Sequence, residues 1–246
     1  LWLKLNEYQK PIYTQCADKY AVRAFVENRG CAEILNDLYG IYNTVDAIDF
    51  DSLPDQFALK CNHGAGYNLI CNDKNHFDIP STKKQLNKWL NEDFSALFSE
   101  PQYKKIQRKI IVEKFIENNM GEFPDDYKFY CFHGEPIFVM LCQGRKSNNT
   151  KFYYFDMNWK MQPLSQDSID ALENGLIIDK PEGFDSLIKY AQILSENFKF
   201  VRADFYLVDG QPFFGELTFT PSGGLDQDRL EATDIILGNH LKLERD

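Results

Sequence analysis

Apolar and polar positions change period several times along this chain, and each change marks a predicted element. Behind Asp18 the apolar residues Tyr20, Val22, Phe25 and Val26 recur at helical spacing with Lys19, Arg23 and Glu27 between them, so a helix is predicted to run to a C-cap at Asn28-Arg29-Gly30. A second short helix is predicted from about Ala32 to Leu38. Past Leu53-Pro54 the period shortens. Phe57-Ala58-Leu59-Lys60-Cys61 and Tyr67-Asn68-Leu69-Ile70-Cys71 predict two strands of a hairpin whose turn carries glycine. Ser81-Thr82 is a candidate cap for a helix with Leu86, Trp89, Leu90 and Phe94 on one face. The run from Lys109 to Ile116 is nearly all apolar at its start, the mark of a strand in the middle of a sheet covered on both faces. Strands at Tyr127–Phe132, Pro136–Cys142 and Phe152–Phe155, a helix near Gly183–Asn197 and a final hairpin complete the pattern. Strand runs broken by isolated helices predict an α+β fold with antiparallel sheets, because the regular alternation of a doubly wound sheet is missing.

Size and composition narrow the function classes. A chain of 246 residues can bury a substantial core, as one domain of two or three lobes or as two small domains. Hydrophobic residues at 43% and aromatics at 15% describe an ordered chain. The net charge of −10 argues against a general nucleic-acid or anionic-membrane surface, though a local basic pocket is still allowed. The six cysteines contain no C-x-x-C, and Cys61 and Cys142 sit in apolar runs, which predicts reduced, mostly buried thiols in the cytoplasm. Neither a zinc pattern, a membrane-length apolar run, a signal peptide nor an internal repeat is found. The chain opens without Met, which is the expectation for a segment of a longer polypeptide.

The candidate chemistry lies in the terminal hairpin, Val201-Arg202-Ala203-Asp204-Phe205-Tyr206 followed by Phe214-Gly215-Glu216-Leu217-Thr218. Arg202 and Asp204 share one face of the first strand, and Glu216 and Thr218 share one face of the second. A two-residue Asp209-Gly210 turn with regular pairing sets Asp204 opposite Gly215. A three-residue Asp209-Gly210-Gln211 loop, or a bulge, sets it opposite Glu216. The second arrangement is expected, since two facing carboxylates repel unless a cation such as Mg²⁺ joins them. The flanking Phe205, Tyr206, Phe213, Phe214 and Phe219 are too apolar for a solvated ribbon. Upstream, Lys60 followed by His63-Gly64-Ala65-Gly66 suits a phosphate contact, with glycines that admit oxygens to backbone N–H groups. It does not match the P-loop pattern. Lys128, after Asp125-Asp126-Tyr127, and Arg145, after Gly144, add cations at strand ends, as a triphosphate and an acyl phosphate in one cleft require. Lys19 and Arg23 lie one turn apart.

These segments resemble the ATP-grasp superfamily, and within it the branch named after the teichuronopeptide biosynthesis protein TupA. The resemblance is carried by Ala17-Asp18-Lys19-Tyr20-Ala21-Val22-Arg23, by Leu53-Pro54-x-x-Phe57-Ala58-Leu59-Lys60-x-x-His63-Gly64-x-Gly66, and by Val112-Glu113-Lys114-Phe115-Ile116. Asp126-Tyr127-Lys128-Phe129-x-x-Phe132-x-Gly134 and the terminal hairpin through Thr220-Pro221 extend it over most of the chain in order. It implies two α+β lobes whose antiparallel sheets clasp ATP, with a helical segment at 1–50, a small lobe at 51–116 and a large lobe at 117–246. It implies nucleotide contacts from Lys19, Lys60, His63, Gly64, Gly66 and Asp126, and an adenine edge formed by Glu113, Lys114, Phe115 and Ile116. Mg²⁺ is implied at Asp204, Glu216 and Thr218, the last standing where many members of the superfamily have Asn and being a weaker ligand. Arg145, Arg202 and Lys128 are implied as the catalytic cations. The implied reaction joins a carboxylate to an amine through an acyl phosphate, with a uronate of a capsule or cell-wall polysaccharide and an amino acid as the partners, inside a capsule assembly complex. A nucleotide-sugar glycosyltransferase, which would lack its Asp-x-Asp, and an inactive ATP-binding module are the competing readings.

Overall fold

The computed structural model describes residues 1–118, 123–144, 149–226 and 229–243. The chain divides into two compact units, Leu1–Ile116 and Glu117–Asp246.

The first unit begins with three short helices, α1 (Trp2–Asn6), α2 (Pro11–Ala17) and α3 (Val22–Asn28). The predicted stripe is the buried side of α3, where Val22, Phe25 and Val26 are in the core, and Gly30 follows with the positive φ of +72° that a C-terminal glycine supplies. The second predicted helix does not form. A single 3₁₀ turn, Ala32–Ile34, stands in its place, and the chain extends into β1 (Leu38–Tyr42). Asn36 is the physical reason, because its Oδ1 accepts from the N–H of Asp37 at 2.9 Å and competes with helix continuation. Beyond it, Tyr39 and Ile41 point outward while their neighbours turn inward, a strand alternation.

Strands β2 (Phe57–Cys61) and β3 (Asn68–Cys71) form the predicted hairpin. Helices α4 (Ile79–Asn91) and α5 (Phe94–Phe98) follow, then β4 (Ile110–Lys114). The cap of α4 is Asp78, whose side chain accepts from the Ser81 N–H, so the helix starts before the expected Ser81-Thr82. Pro80 in its first turn is tolerated because that turn needs no N–H donor. The antiparallel sheet has the order β1-β4-β2-β3, which places the apolar β4 inside as predicted.

The second unit carries a six-stranded antiparallel sheet built from β5 (Asp126–Phe132), β6 (Glu135–Gln143), β7 (Lys151–Asp156), β8 (Met161–Gln162), β9 (Phe200–Val208) and β10 (Gln211–Thr218), in the order β10-β9-β5-β6-β7-β8. Helices α6 (Gln166–Glu173), α7 (Phe184–Ser195) and α8 (Glu231–Asn239) complete it. One face is closed by α7, with Phe184 stacked on Phe129 at 5.8 Å between ring centroids. The other face is apolar at one end, where Tyr130, Phe132, Met140 and Tyr154 pack with Leu164 and with Leu237 of α8. The rest of that face carries charge.

The terminal hairpin resolves the register left open by the sequence. Val208 pairs with Gln211 across a two-residue Asp209-Gly210 turn, both residues having positive φ, so the three-residue loop is absent. A bulge at Gly215 then shifts the pairing, and Asp204 faces Glu216. A Cβ on Gly215 would come within 2.9 Å of the Asp204 carbonyl oxygen, so the bulge needs glycine. All six cysteines are buried thiols. Among the described residues no helix is long and apolar enough to cross a membrane.

Candidate functional site

In the second unit, three neighbouring strands bring five charged side chains and a hydroxyl onto one face. Cross-strand partners point the same way, so Asp204 on β9 meets Glu216 on β10 from one side and Lys128 on β5 from the other, while Arg202 lies between Thr218 and Tyr130. Arg202 closes on Asp204 as a fork, Nε donating to Oδ1 at 2.7 Å and Nη2 to Oδ2 at 2.6 Å. Lys128 Nζ donates to the same Oδ2 at 2.7 Å and stands 3.4 Å from Asp126 Oδ2. Thr218 Oγ1 donates to Glu216 Oε1 at 3.3 Å and accepts from Arg202 Nη2 at 3.3 Å. Asp126, Lys128 and Asp204 are buried, whereas the Glu216 side chain is 35% exposed.

The carboxylates expected to repel are therefore held together by the protein's own cations. Burial works against the Arg202 charge, but the adjacent Asp204 outweighs it and holds the guanidinium well above its ordinary pKa. Asp126, Asp204 and Glu216 face Lys128 and Arg202, leaving one net negative charge. Two carboxylates and a hydroxyl form an all-oxygen donor set, which suits Mg²⁺, a metal that takes most of its shell from phosphate and water. Among the described residues no group of three or more His, Cys, Asp or Glu is placed to hold a metal ion.

In the first unit, the loop at 63–66 that was expected to meet phosphate joins β2 to β3. The N–H groups of Gly64, Ala65 and Gly66 donate to no backbone carbonyl among the described residues, and Ala65 and Gly66 are exposed. Gly66 has a φ of +72°, and a Cβ on Gly64 would sit 2.7 Å from the Phe94 ring, so each glycine has its own reason. Lys60 Nζ donates to Glu113 Oε2 at 2.6 Å, across the β2–β4 pairing, and Arg23 Nη1 approaches Glu113 Oε1 at 3.7 Å. Glu113 is thus the counterion of two cations. At Lys114 the backbone is occupied on both sides, its N–H donating to the Asp37 carbonyl and its carbonyl accepting from Asn36 Nδ2.

A family model described as TupA-like ATPgrasp matches residues 1–242. The chain belongs to the TupA-like ATP-grasp family. Among solved structures, the D-alanine–D-alanine ligase from Bacillus anthracis complexed with ATP is similar with a TM-score of 0.57 and 16% identity, over 92% of this chain and 65% of that one. The L-amino acid ligase from Bacillus licheniformis gives 0.52 and 12%, over 91% and 45%. The ADP complex of N5-carboxyaminoimidazole ribonucleotide synthetase gives 0.53 and 12%, over 89% and 50%. At these identities the likeness establishes the ATP-grasp fold, and this chain spans 45% to 65% of the length of those three. A search of curated proteins finds no match.

For this ATP-grasp chain the expected residues fall into two local groups. Arg202, Lys128, Asp126, Asp204, Glu216 and Thr218 converge in the second unit. Lys60, Gly64, Gly66 and Glu113 lie on or beside one hairpin of the first. Lys19 joins that hairpin by its backbone, its N–H donating to the Asn62 carbonyl at 3.1 Å. Phe115 and Ile116 follow the end of β4. Arg145 lies outside the described residues.

Asn62 was not singled out from the sequence, and Arg23 was noted only as lying one turn from Lys19. Asn62 is fully buried, and its Nδ2 donates to Asp18 Oδ1 at 2.8 Å and to the Gln107 carbonyl at 3.0 Å, while its Oδ1 accepts from the Lys109 N–H at 2.7 Å. It ties the turn bearing Lys19 to the start of the 63–66 loop. An amide directly behind a buried strand is the one local signal it leaves.

His63 is 2% exposed, its Nε2 lies 3.0 Å from the Trp89 carbonyl and its Nδ1 has no hydrogen-bond partner among the described residues. The carbonyl fixes the proton on Nε2, so the ring is packing rather than an open phosphate ligand. Burial pulls its pKa below 6.5, against the Trp89 carbonyl, which favours the charged form. The neutral ring contributes its full stability above that value. Below it the unfolded chain takes up the proton first, so stability falls with pH until the folded-state pKa is passed. His63→Gln, which keeps a donor for Trp89, is expected to flatten the loss of stability between about pH 7 and about pH 5. Urea melts at both pH values check this, and an unchanged slope would place the titration elsewhere.

Proposed function

We propose that the protein is an ATP-dependent carboxylate–amine ligase that works through an acyl phosphate. The observation that carries this reading is the bulged pairing of Asp204 with Glu216 beside Arg202 and Lys128, in a chain of the TupA-like ATP-grasp family. A substrate carboxylate oxygen attacks the γ-phosphorus of ATP, ADP leaves, and an amine then attacks the acyl carbon. The amide forms, phosphate leaves and the amine releases a proton. Magnesium, held by Glu216 and Asp204 with Thr218 as a weaker ligand, would neutralise phosphate charge.

The other steps fall to the chain's own residues. Arg202 and Lys128 supply donors to the transferring phosphoryl group and to the oxyanion that develops at the acyl carbon, and Arg145 is assigned to the same task. Lys60, Lys19 and the backbone of the 63–66 loop bind phosphates, with His63 contributing its main chain. Asp126 is assigned to the nucleotide through its hold on Lys128. Phe115 and Ile116 are favoured for the adenine edge, because the Lys114 backbone is already bonded and the Glu113 side chain is the counterion of Lys60. No protein nucleophile is required, and burial pushes the Cys61 thiol next to Lys60 up to about 12, which keeps it uncharged.

The substrates follow from the family branch: a uronic acid of a bacterial capsule or cell-wall polysaccharide, with an amino acid or short peptide as the amine, in the cytoplasm. The test is ADP release from Mg-ATP across a panel of uronates and amino acids. A signal above background in wild type, lost in Asp204→Asn, is expected. Equal background in both across the panel would remove the ligase assignment.

A further inference from the structure

The chain has a net charge of −10, yet between Glu100 and Glu113 it carries four cations, Lys104, Lys105, Arg108 and Lys109, and no carboxylate. This stretch belongs to the first unit, and its backbone is fixed at both ends. Tyr103 and Ile106 are buried, and the Ile106 N–H donates to the Tyr103 carbonyl at 3.2 Å. At the other end the Gln107 carbonyl and the Lys109 N–H are bonded to the Asn62 side chain at 3.0 and 2.7 Å, directly before the 63–66 loop. Lys104 and Lys105 are exposed, and Arg108 and Lys109 are half-buried.

Elsewhere the acidic chain neutralises its cations: Lys60, Lys128, Lys151 and Lys180 each have a carboxylate oxygen at 2.6 to 2.8 Å. The basic stretch is different. Arg108 Nη1 donates to the Leu90 carbonyl at 2.9 Å, Lys109 Nζ lies 5.4 Å from the centroid of the Tyr20 ring, and among the described residues none of the four is paired with a carboxylate. The nearest acid in the sequence, Glu100, is buried and accepts from Gln102 Nε2 at 3.2 Å. Like charges held together without counterions repel one another, and anions from outside relieve that repulsion. Two pairs of cations separated by Ile106 and Gln107 match repeated anions along a chain rather than a single one.

The kind of chain follows from what surrounds the charges. Ile106, the one aliphatic residue between the pairs, is turned into the core and cannot anchor in lipid, and a flat bilayer would meet Lys104 and Lys105 but not the half-buried pair. The one aromatic residue of the stretch, Tyr103, is buried as well, which removes the stacking platform that single-stranded nucleic acid uses. A flexible polymer of carboxylated sugars needs neither. Exposed Leu97 and Phe98 precede the stretch, so anionic vesicles are the comparison in the test.

We infer that Lys104, Lys105, Arg108 and Lys109 form a docking strip for an acidic polysaccharide, which holds the polymer on the first unit beside the 63–66 loop. The inference rests on the ligase reading and deepens it: the uronate arrives as part of a polymer, and the strip holds carboxylates other than the one that reacts.

The test measures binding of polygalacturonate, with dextran as the uncharged polymer, to the Mg-ATP-loaded protein by calorimetry. Wild type is expected to bind polygalacturonate and not dextran, with an affinity that falls as salt is added. Lys104→Glu/Lys105→Glu is expected to weaken polymer binding about tenfold or more, while the melting temperature, ATP affinity and ADP release with monomeric galacturonate stay as in wild type. Lys84→Glu/Lys189→Glu, which changes the net charge equally at exposed positions off the strip, is expected to keep polymer affinity within about threefold of wild type. No polymer binding in wild type, the same loss in both double variants, or polyglutamate or single-stranded DNA bound as tightly as polygalacturonate each overturns the strip. Binding to phosphatidylserine vesicles that depends on Lys104 and Lys105, with polymer binding that does not, makes the surface a membrane contact and overturns it too. Failure of the ligase reading looks different: polymer binding still depends on the two lysines, but no acid stimulates ADP release.

Discussion

Asp204→Asn is expected to lower acid-dependent ADP release at least about a hundredfold, the scale of losing one preorganised charge contact in an active site. Asp204→Ala is expected to lose about 3 to 5 kcal/mol of stability in addition, the cost of removing one partner from a buried ion pair. The reason is visible in the contacts. Both oxygens of Asp204 accept from cations, Arg202 through two nitrogens and Lys128 through one, at 2.6 to 2.7 Å. The Arg202 and Lys128 side chains are 12% and 9% exposed, so neither can turn fully to water when the carboxylate goes. Asparagine keeps the shape and one acceptor, and therefore separates chemistry from folding. Urea denaturation and a coupled ADP assay on both variants measure the two effects. An alanine variant within about 1 kcal/mol of wild type would mean that the pair is screened as surface pairs are, and wild-type turnover in the asparagine variant would remove Asp204 from the reaction.

Lys60→Met and Glu113→Ala are expected to fail in opposite ways. Lys60 is 24% exposed at its side chain and Glu113 is 9%, so the lysine head is the more accessible member of the pair. Methionine retains an unbranched apolar stem, and Glu113 keeps Arg23 at 3.7 Å, so the stability loss in Lys60→Met should stay near about 1 kcal/mol. ATP affinity is expected to fall about tenfold or more, because a phosphate loses its charged donor. Removing Glu113 leaves Lys60 and Arg23 facing each other without their shared counterion, and a stability loss of about 2 kcal/mol or more is expected. Nucleotide titration by calorimetry alongside thermal melting checks the contrast. Unchanged ATP affinity in a folded Lys60→Met protein would take Lys60 out of the phosphate site.

Much of the fold was legible because its cause is local. Alternation and apolar runs located β2, β4, β5, β6 and β7, since a strand's two faces or double burial are written in consecutive residues. The helix expected over 32–38 failed at Asn36, whose short side chain bonds the next backbone N–H and outbids the helical period. Asp78 in place of Ser81 as the cap of α4 was a matter of one turn.

The candidate site divides along the same line. Residue types, their order and their shared faces were determined by the sequence, and with them the nomination of Lys60, Lys128, Arg202, Asp204 and Glu216. Whether Asp204 meets Glu216 was not, because a one-residue slip reverses the face of every later side chain and two turns were compatible with the same letters. The structure combines the two-residue turn with a bulge, and the bulge stands at Gly215, where a Cβ would come within 2.9 Å of the Asp204 carbonyl oxygen. Only tertiary contact shows that Arg202 and Lys128 neutralise Asp204, that Glu113 serves Lys60 and Arg23, or that Asn62 joins segments 44 to 47 residues apart. Backbone propensity acts over a few neighbours, whereas hydrogen bonds and ion pairs are decided by whatever the folded chain brings within about 3 Å.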